Sequence, residues 1–245
     1  MIRLAAIADM HCTQNSCGRL APSWQELNDT ADLLVLGGDL TTMGTPEEAD
    51  VLAGELSVVK IPTVAVLGNH DYQTDQPDTV VRILRDAGVH VLEGSHAEFQ
   101  LQGYSVGVAG TKGFGGGFAG ACASEFGEPE MKNFIQHTHK HADALRRALG
   151  ELNTDFRIAL LHYSPVDTTL EGEPLPIYPF LGSHLLAEAC DDTGADIIIH
   201  GHAHKGTLKG VTPRGIPVRN VAMPLVRHPY LLFHLEHTER YLPFT

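Results

Sequence analysis

Short, wholly apolar runs recur along the chain, separated by longer stretches in which apolar and polar residues mix. Leu4–Ala8, Leu33–Leu36, Val64–Leu67, Ile158–Leu161 and Ile197–Ile199 are of the first kind. Their length and their Val, Ile and Leu content predict strands covered on both faces, as in a parallel sheet. Helices are predicted between them. One opens at Thr45-Pro46-Glu47-Glu48, which offers a cap residue, a proline for the first turn and acids at the positive end of the helix dipole. Gln76–Ala87 ends before Gly88, Glu128–Leu149 ends before Gly150, and His184–Asp191 is a shorter fourth. His96–Ala109 and Lys205–Tyr241 alternate apolar and polar residues with Gly and Pro punctuation, the pattern of antiparallel strands and hairpins; Tyr230–Leu242 reads as strand. The pattern predicts α/β layers with a mixed sheet, in one domain over residues 1–245.

The polar residues that follow these runs carry the chemistry. Asp9-Met10-His11 follows the first run, Gly37-Gly38-Asp39 the second and Gly68-Asn69-His70-Asp71 the third. His162 follows the fourth, and His200-Gly201-His202-Ala203-His204 begins at the end of the fifth. In open α/β sheets the ligand crevice lies beyond the carboxyl ends of the strands, so these residues converge on one edge. Asp9 and His11 are two apart, as are His202 and His204, which on extended backbone puts both members of a pair on one side. Carboxylate, imidazole and amide oxygen without thiolate suit Mn, Fe, Zn or Co better than a structural zinc site. The ligands outnumber what one tetrahedral ion uses. Two ions bridged by a carboxylate, about 3.5–4 Å apart, fit the inventory.

The ordered blocks resemble the signature of the calcineurin-like metallophosphoesterase superfamily: DxH at Asp9-His11, GDx4G at Gly38-Asp39 to Gly44, GNH(D/E) at Gly68–Asp71, a lone His162, and GHxH at Gly201–His204. The resemblance spans residues 9 to 204 and implies a four-layer α/β/β/α sandwich of two mixed sheets flanked by helices. It implies that Asp9, His11 and His204 hold one metal ion, that Asn69, His162 and His202 hold a second, and that Asp39 bridges them. The ions, Mn, Fe or Zn foremost, would share a hydroxide that attacks phosphorus, with His70 beside the leaving oxygen. Two departures stand out. Cys12 occupies a position where the first block often has Gly, which leaves the turn less permissive and could bring a thiol near the metals. Thr42 and Met43 replace the acid and the arginine of the phosphoprotein-phosphatase block GDxVDRG. Without that arginine a phosphomonoester dianion loses a bidentate partner, which favours a small phosphodiester as substrate, with a phosphomonoester as the alternative.

Composition narrows the partners. Thirty acidic residues against 17 basic ones give a formal charge of −13, which disfavours nucleic acid and anionic lipid as general partners, and with them a nuclease reading. A non-catalytic protein-binding module on the same fold is the remaining alternative, and the intact ligand set argues against it. Cys12, Cys17, Cys122 and Cys190 form no CxxC pair, and no window is apolar enough to span a bilayer or serve as a signal peptide, so a cytoplasmic protein with reduced thiols is expected. In Gly110–Gly120 the glycines could cradle a phosphate, with Lys112 supplying charge and Phe114 or Phe118 stacking on a base; otherwise it is a surface loop or tight packing. Tyr72 and Tyr163 follow ligand blocks and either line the pocket or pack in the core. Leu170–Phe180 is a proline-rich loop, either a wall over the site or a surface crossing. His200 reads as a buried, hydrogen-bonded histidine, and His137, His139 and His141 as a solvated helix face.

Overall fold

A computed structural model describes residues 1–236 of the chain. Its strands in order are β1 (Ile2–Ile7), β2 (Leu33–Gly37), β3 (Thr63–Val66), β4 (His90–Val91), β5 (Ser95–Leu101), β6 (Tyr104–Thr111), β7 (Gly117–Phe118), β8 (Ala121–Cys122), β9 (Phe156–Leu161), β10 (Ile197–His200), β11 (Lys209–Val211), β12 (Pro217–Asn220) and β13 (Leu231–Leu235). One sheet has the order β13-β1-β2-β3-β4, and a second has β11-β12-β10-β9-β6-β5. Both are mixed. In the first, β1 to β4 run parallel and β13 joins β1 antiparallel. In the second, a parallel centre of β12, β10, β9 and β6 is flanked by antiparallel β11 and β5.

The period of two along each strand builds the layers. Leu4, Ala6, Leu33, Val35, Val64 and Val66 turn toward Val106, Val108, Ile158, Leu160, Ile197 and Ile199, and together they form the interior between the sheets. The alternate residues, among them Ile7, Leu34, Leu36 and Ala65, pack outward against Leu52 and Leu84 of helices Pro46–Leu56 and Pro77–Asp86. Across the molecule Ala159, Leu161 and Ile198 pack against Leu145, Leu149 and Leu186 of helices Pro129–Gly150 and His184–Thr193. The result is an α/β/β/α sandwich. The parallel strands are apolar throughout because both of their faces are covered.

Two helix starts show side-chain capping. The Thr45 side chain accepts from the Glu48 amide at 3.3 Å, with Pro46 in the first turn, and Ser183 caps the helix ahead of His184. Three pieces depart from the pattern. Ala21–Gln25 and Leu27–Thr30 form short helices too brief to show a period, and they bury Trp24 and Leu27. Leu170–Phe180 is not plain loop: Leu175–Ile177 and Tyr178–Leu181 coil there. Met223–Val226 is helical inside the stretch expected to be strand. The expected strand Tyr230–Leu242 is seen as Leu231–Leu235, and its part beyond residue 236 lies outside the described residues. No helix among the described residues is long and apolar enough to cross a membrane.

His139 is exposed, but His137 and His141 turn inward, against the expectation of a solvated face. His141 Nδ1 meets the Thr111 hydroxyl at 2.7 Å, and its Nε2 lies 3.2 Å from His137. Burial, with Lys112 and His137 nearby, drives the His141 pKa down to about 3. An unfolded histidine titrates near 6.5, so below that pH the unfolded chain binds the extra proton and the folded one does not. Stability therefore falls as pH drops from about 6.5 toward about 3. Urea titration of metal-free protein should show stability falling from pH 7 to pH 5, with His141 accounting for about 1–2 kcal/mol of the loss, so that the dependence is shallower by that amount in His141→Gln. Equal slopes in the two proteins would contradict the assignment.

Candidate metal centre

The strand ends interlock before any side chain is considered. Asp9 N donates to the Gly38 carbonyl at 2.9 Å, His11 N to Asp39 at 3.1 Å and Cys12 N to Leu40 at 2.9 Å, which stitches the loop after β1 to the loop after β2. Asp9, His11, Asp39 and His202 all have positive φ, at 56°, 45°, 48° and 69°. The expected extended backbone at Asp9-His11 and His202-His204 is thus replaced by left-handed turns. Each costs about 1–2 kcal/mol in a non-glycine residue and persists because the surrounding chain enforces it. A Cβ on Gly68 would overlap the Asp39 carboxylate and one on Gly201 the Asp9 carboxylate, so at both positions only glycine lets the strands approach this closely.

Two ligand groups result. Asp9, His11, Asp39 and His204 offer donor atoms within 4.8 Å of one another, and so do Asp39, His162 and His202. Asp39 belongs to both. Its Oδ2 lies 3.9 Å from His11 Nε2 and its Oδ1 lies 3.3 Å from His162 Nε2, with 1% of the residue exposed. Asn69 joins the second group, its Oδ1 3.0 Å from His162 Nε2.

The donor set fits a cation. His162 Nδ1 donates to the Gly37 carbonyl at 2.9 Å and His202 Nε2 to the Phe180 carbonyl at 3.4 Å. In neutral rings this leaves lone pairs on His162 Nε2 and His202 Nδ1, which face each other at 3.0 Å beside the Asn69 oxygen. Burial drives His202 down to about 3, which keeps that ring in its ligating form. In the first group His11 Nε2 is buried with no hydrogen-bond partner, and burial likewise lowers its pKa. Burial works to raise the Asp9 carboxyl, but the His204 hydrogen bond at 2.9 Å and the His202 amide, which donates to the carboxylate, help to outweigh it and leave it below its ordinary range.

His70 and Asp71 take different places. His70 Nδ1 donates to the Thr42 backbone carbonyl at 2.7 Å, and its ring meets that of His11 edge-on, with centroids 4.6 Å apart. The main chain of Thr42 therefore orients His70 where an acidic side chain was missed. The Thr42 hydroxyl turns instead to the His11 carbonyl, at 2.8 Å, and Met43 is 44% exposed. Asp71 is fully buried and accepts from the amides of Leu40, Thr41 and Gly68 and from the Thr41 hydroxyl, so it clamps two ligand loops together. Burial and then the Asp39 charge raise its carboxyl to about 6.

Lys112 sits at the edge of the second group, 6% exposed, with its ammonium 5.0 Å from the Tyr72 and Phe114 ring centres and 5.3 Å from that of Tyr163. Burial lowers its pKa while Glu93 and Asp39 act to raise it. Tyr163 also packs on His202, centroids 4.3 Å apart. Glu93, which no motif singled out, ties the Tyr72 hydroxyl and the Leu67 amide, at 3.1 and 3.2 Å. Phe114 is held among Lys112, Phe134, His137 and Tyr163. The glycine-rich loop is packed: Gly116 N donates to Pro179 at 2.6 Å and Gly117 N to Gly182 at 2.9 Å, so these amides do not face a phosphate. Cys12 packs in the helix-side core, burial raising its thiol to about 12, and lies outside both ligand groups. His200 is fully buried, with Nδ1 2.8 Å from the Gly201 carbonyl, and its Nε2 has no partner.

The family model described as calcineurin-like phosphoesterase matches residues 2–206. The crystal structure of phosphopantetheinyl hydrolase from Mycobacterium tuberculosis superposes with a TM-score of 0.70 at 16% identity, covering 96% of either chain. A putative 5'-nucleotidase from Staphylococcus aureus gives 0.57 at 19% identity, over 89% of this chain and 48% of that one. Among curated proteins, the uncharacterized protein YpbG of Bacillus subtilis (strain 168) is 22% identical over 178 residues. The chain spans about half the length of that relative, 52%, while 72% of this chain takes part in the match.

Proposed function

The chain belongs to the calcineurin-like phosphoesterase family, and from that premise we propose that it hydrolyses a small phosphodiester at a two-metal site bridged by Asp39. The observation that carries this reading is the membership of Asp39 in both ligand groups. Asp9, His11 and His204 would hold one ion, and Asn69, His162 and His202 the other. Two such ions supply an activated water as nucleophile and offset the charge that gathers on the phosphoryl oxygens. The chain's own groups do the rest. His70, fixed through Nδ1 on the Thr42 carbonyl, has Nε2 left to bring a proton to the leaving oxygen. Lys112, braced by Phe114, Tyr72 and Tyr163, adds a positive charge on the side of the second ion. We read residues 1–245 as one such domain, since the two sheets share an apolar interior. Four free thiols support a reducing, cytoplasmic setting.

The preference for a diester rests on the loop at Thr42 and Met43, which brings no guanidinium to a second anionic oxygen. A monoesterase is the second reading, because the Lys112 ammonium lies close enough to Asp39 to feel its charge. Steady-state hydrolysis of bis-p-nitrophenyl phosphate and p-nitrophenyl phosphate by Mn-, Fe- or Zn-loaded protein separates the two. A kcat/KM about tenfold higher on the diester, about 1.4 kcal/mol in the barrier, is expected. A preference for the monoester would transfer the proposal to phosphatase chemistry.

A further inference from the structure

A cleft of about 470 Å³ opens on the His11 side of the metal centre, a volume suited to a small ligand. Asp9 and His11 line it, Leu20 and Met223 form part of its apolar wall, and Arg19, Arg227 and His228 also face it. The wall is part of the same frame as the ligands. Met223 N donates to the Ala8 carbonyl at 2.9 Å, and Pro229 is tied by Trp24 Nε1 at 3.3 Å.

The chain carries −13 overall, yet two guanidiniums from distant parts of the sequence, Arg19 and Arg227, converge on this cleft. Arg19 reaches only the Met223 sulfur, at 4.0 Å, and neither it nor Arg227 forms an ion pair among the described residues. Two unpaired guanidiniums beside one cleft bind planar, multi-oxygen anions well, through paired hydrogen bonds. The scissile phosphate is accounted for by the metal ligands, so a second group is implied.

Resting on the phosphoesterase reading above, we infer that the cleft lined by Arg19 and Arg227 binds a second anionic group of the substrate, a phosphate or a carboxylate, carried on an arm beyond the scissile phosphorus. The substrate class is a phosphoester with a remote negative charge and a short apolar spacer, which lies along Leu20 and Met223. A neutral or cationic arm gains nothing there.

Equilibrium binding to the metal-loaded protein tests this without turnover. Propylphosphonate and pentylphosphonate report the metal centre alone. Propane-1,3-bisphosphonate and pentane-1,5-bisphosphonate add a second phosphonate, and 4-phosphonobutyrate adds a carboxylate. By calorimetry, at least one two-headed ligand should bind about tenfold or more tightly than its one-headed counterpart, as charge-assisted hydrogen bonds allow. In the Arg19→Gln/Arg227→Gln double variant that ratio should fall to about 1. The better of phosphonate and carboxylate names the group. A ratio near 1 in wild type, or one that survives in the double variant, overturns the inference. If the one-headed phosphonates fail to bind as well, the phosphoesterase reading itself has failed.

Discussion

Replacing Asp39 by Asn should lower kcat/KM on a phosphodiester by about three orders of magnitude or more, about 4 kcal/mol of transition-state stabilisation. The side chain keeps its shape and loses its charge. The two carboxylate oxygens face different histidines, Oδ2 toward His11 at 3.9 Å and Oδ1 toward His162 at 3.3 Å. An amide can still accept at one atom, but its NH2 would point at a cation or at a ring lone pair. The Asp39 carboxylate also accepts from the His70 amide at 2.8 Å, so the variant disturbs the backbone that carries His70 too. The effect should persist at saturating metal, because the bridge is lost rather than weakened. Activity that recovers fully with added metal would mean that Asp39 only tunes affinity.

His70→Ala should lower kcat by about 10²–10⁴ while leaving metal content and KM close to wild type. The ring stands outside both ligand groups and is held by one bond to the Thr42 carbonyl, so its removal leaves the metal residues in place. The loss should depend on the leaving group. Esters of alcohols, whose departing oxygen needs a proton, should suffer more than esters of p-nitrophenol, which leaves readily as an anion. A uniform loss across leaving groups, with metal content reduced, would instead assign His70 a structural part.

The strand pattern carried much of this into view. Runs such as Leu33–Leu36 and Ile197–Ile199 are apolar at every position because two layers cover them, and such runs ended where the polar blocks began. What the pattern misjudged was backbone at close range. Asp9-His11 reads as extended by its spacing, yet left-handed turns set both residues, and those turns depend on amides bonded to Gly38 and Asp39 some 30 positions away. His137 and His141 looked solvated because their helix is amphipathic only loosely, and the Thr111 hydroxyl that receives His141 lies on a strand. The role of Thr42 was invisible for a different reason: its main-chain carbonyl does the work, and a carbonyl leaves no trace in residue type. The cleft beside His11 was equally hidden. Arg19 and Arg227 are ordinary exposed arginines until the chain brings positions over 200 apart together.

Metal stoichiometry tests the two-ion bridge most directly. Protein reconstituted with Mn, Fe or Zn, freed of loose metal and analysed by inductively coupled plasma mass spectrometry, should retain two ions per wild-type chain and at most one per Asp39→Asn chain. One ion in wild type, or two in both proteins, would contradict a centre held together by Asp39.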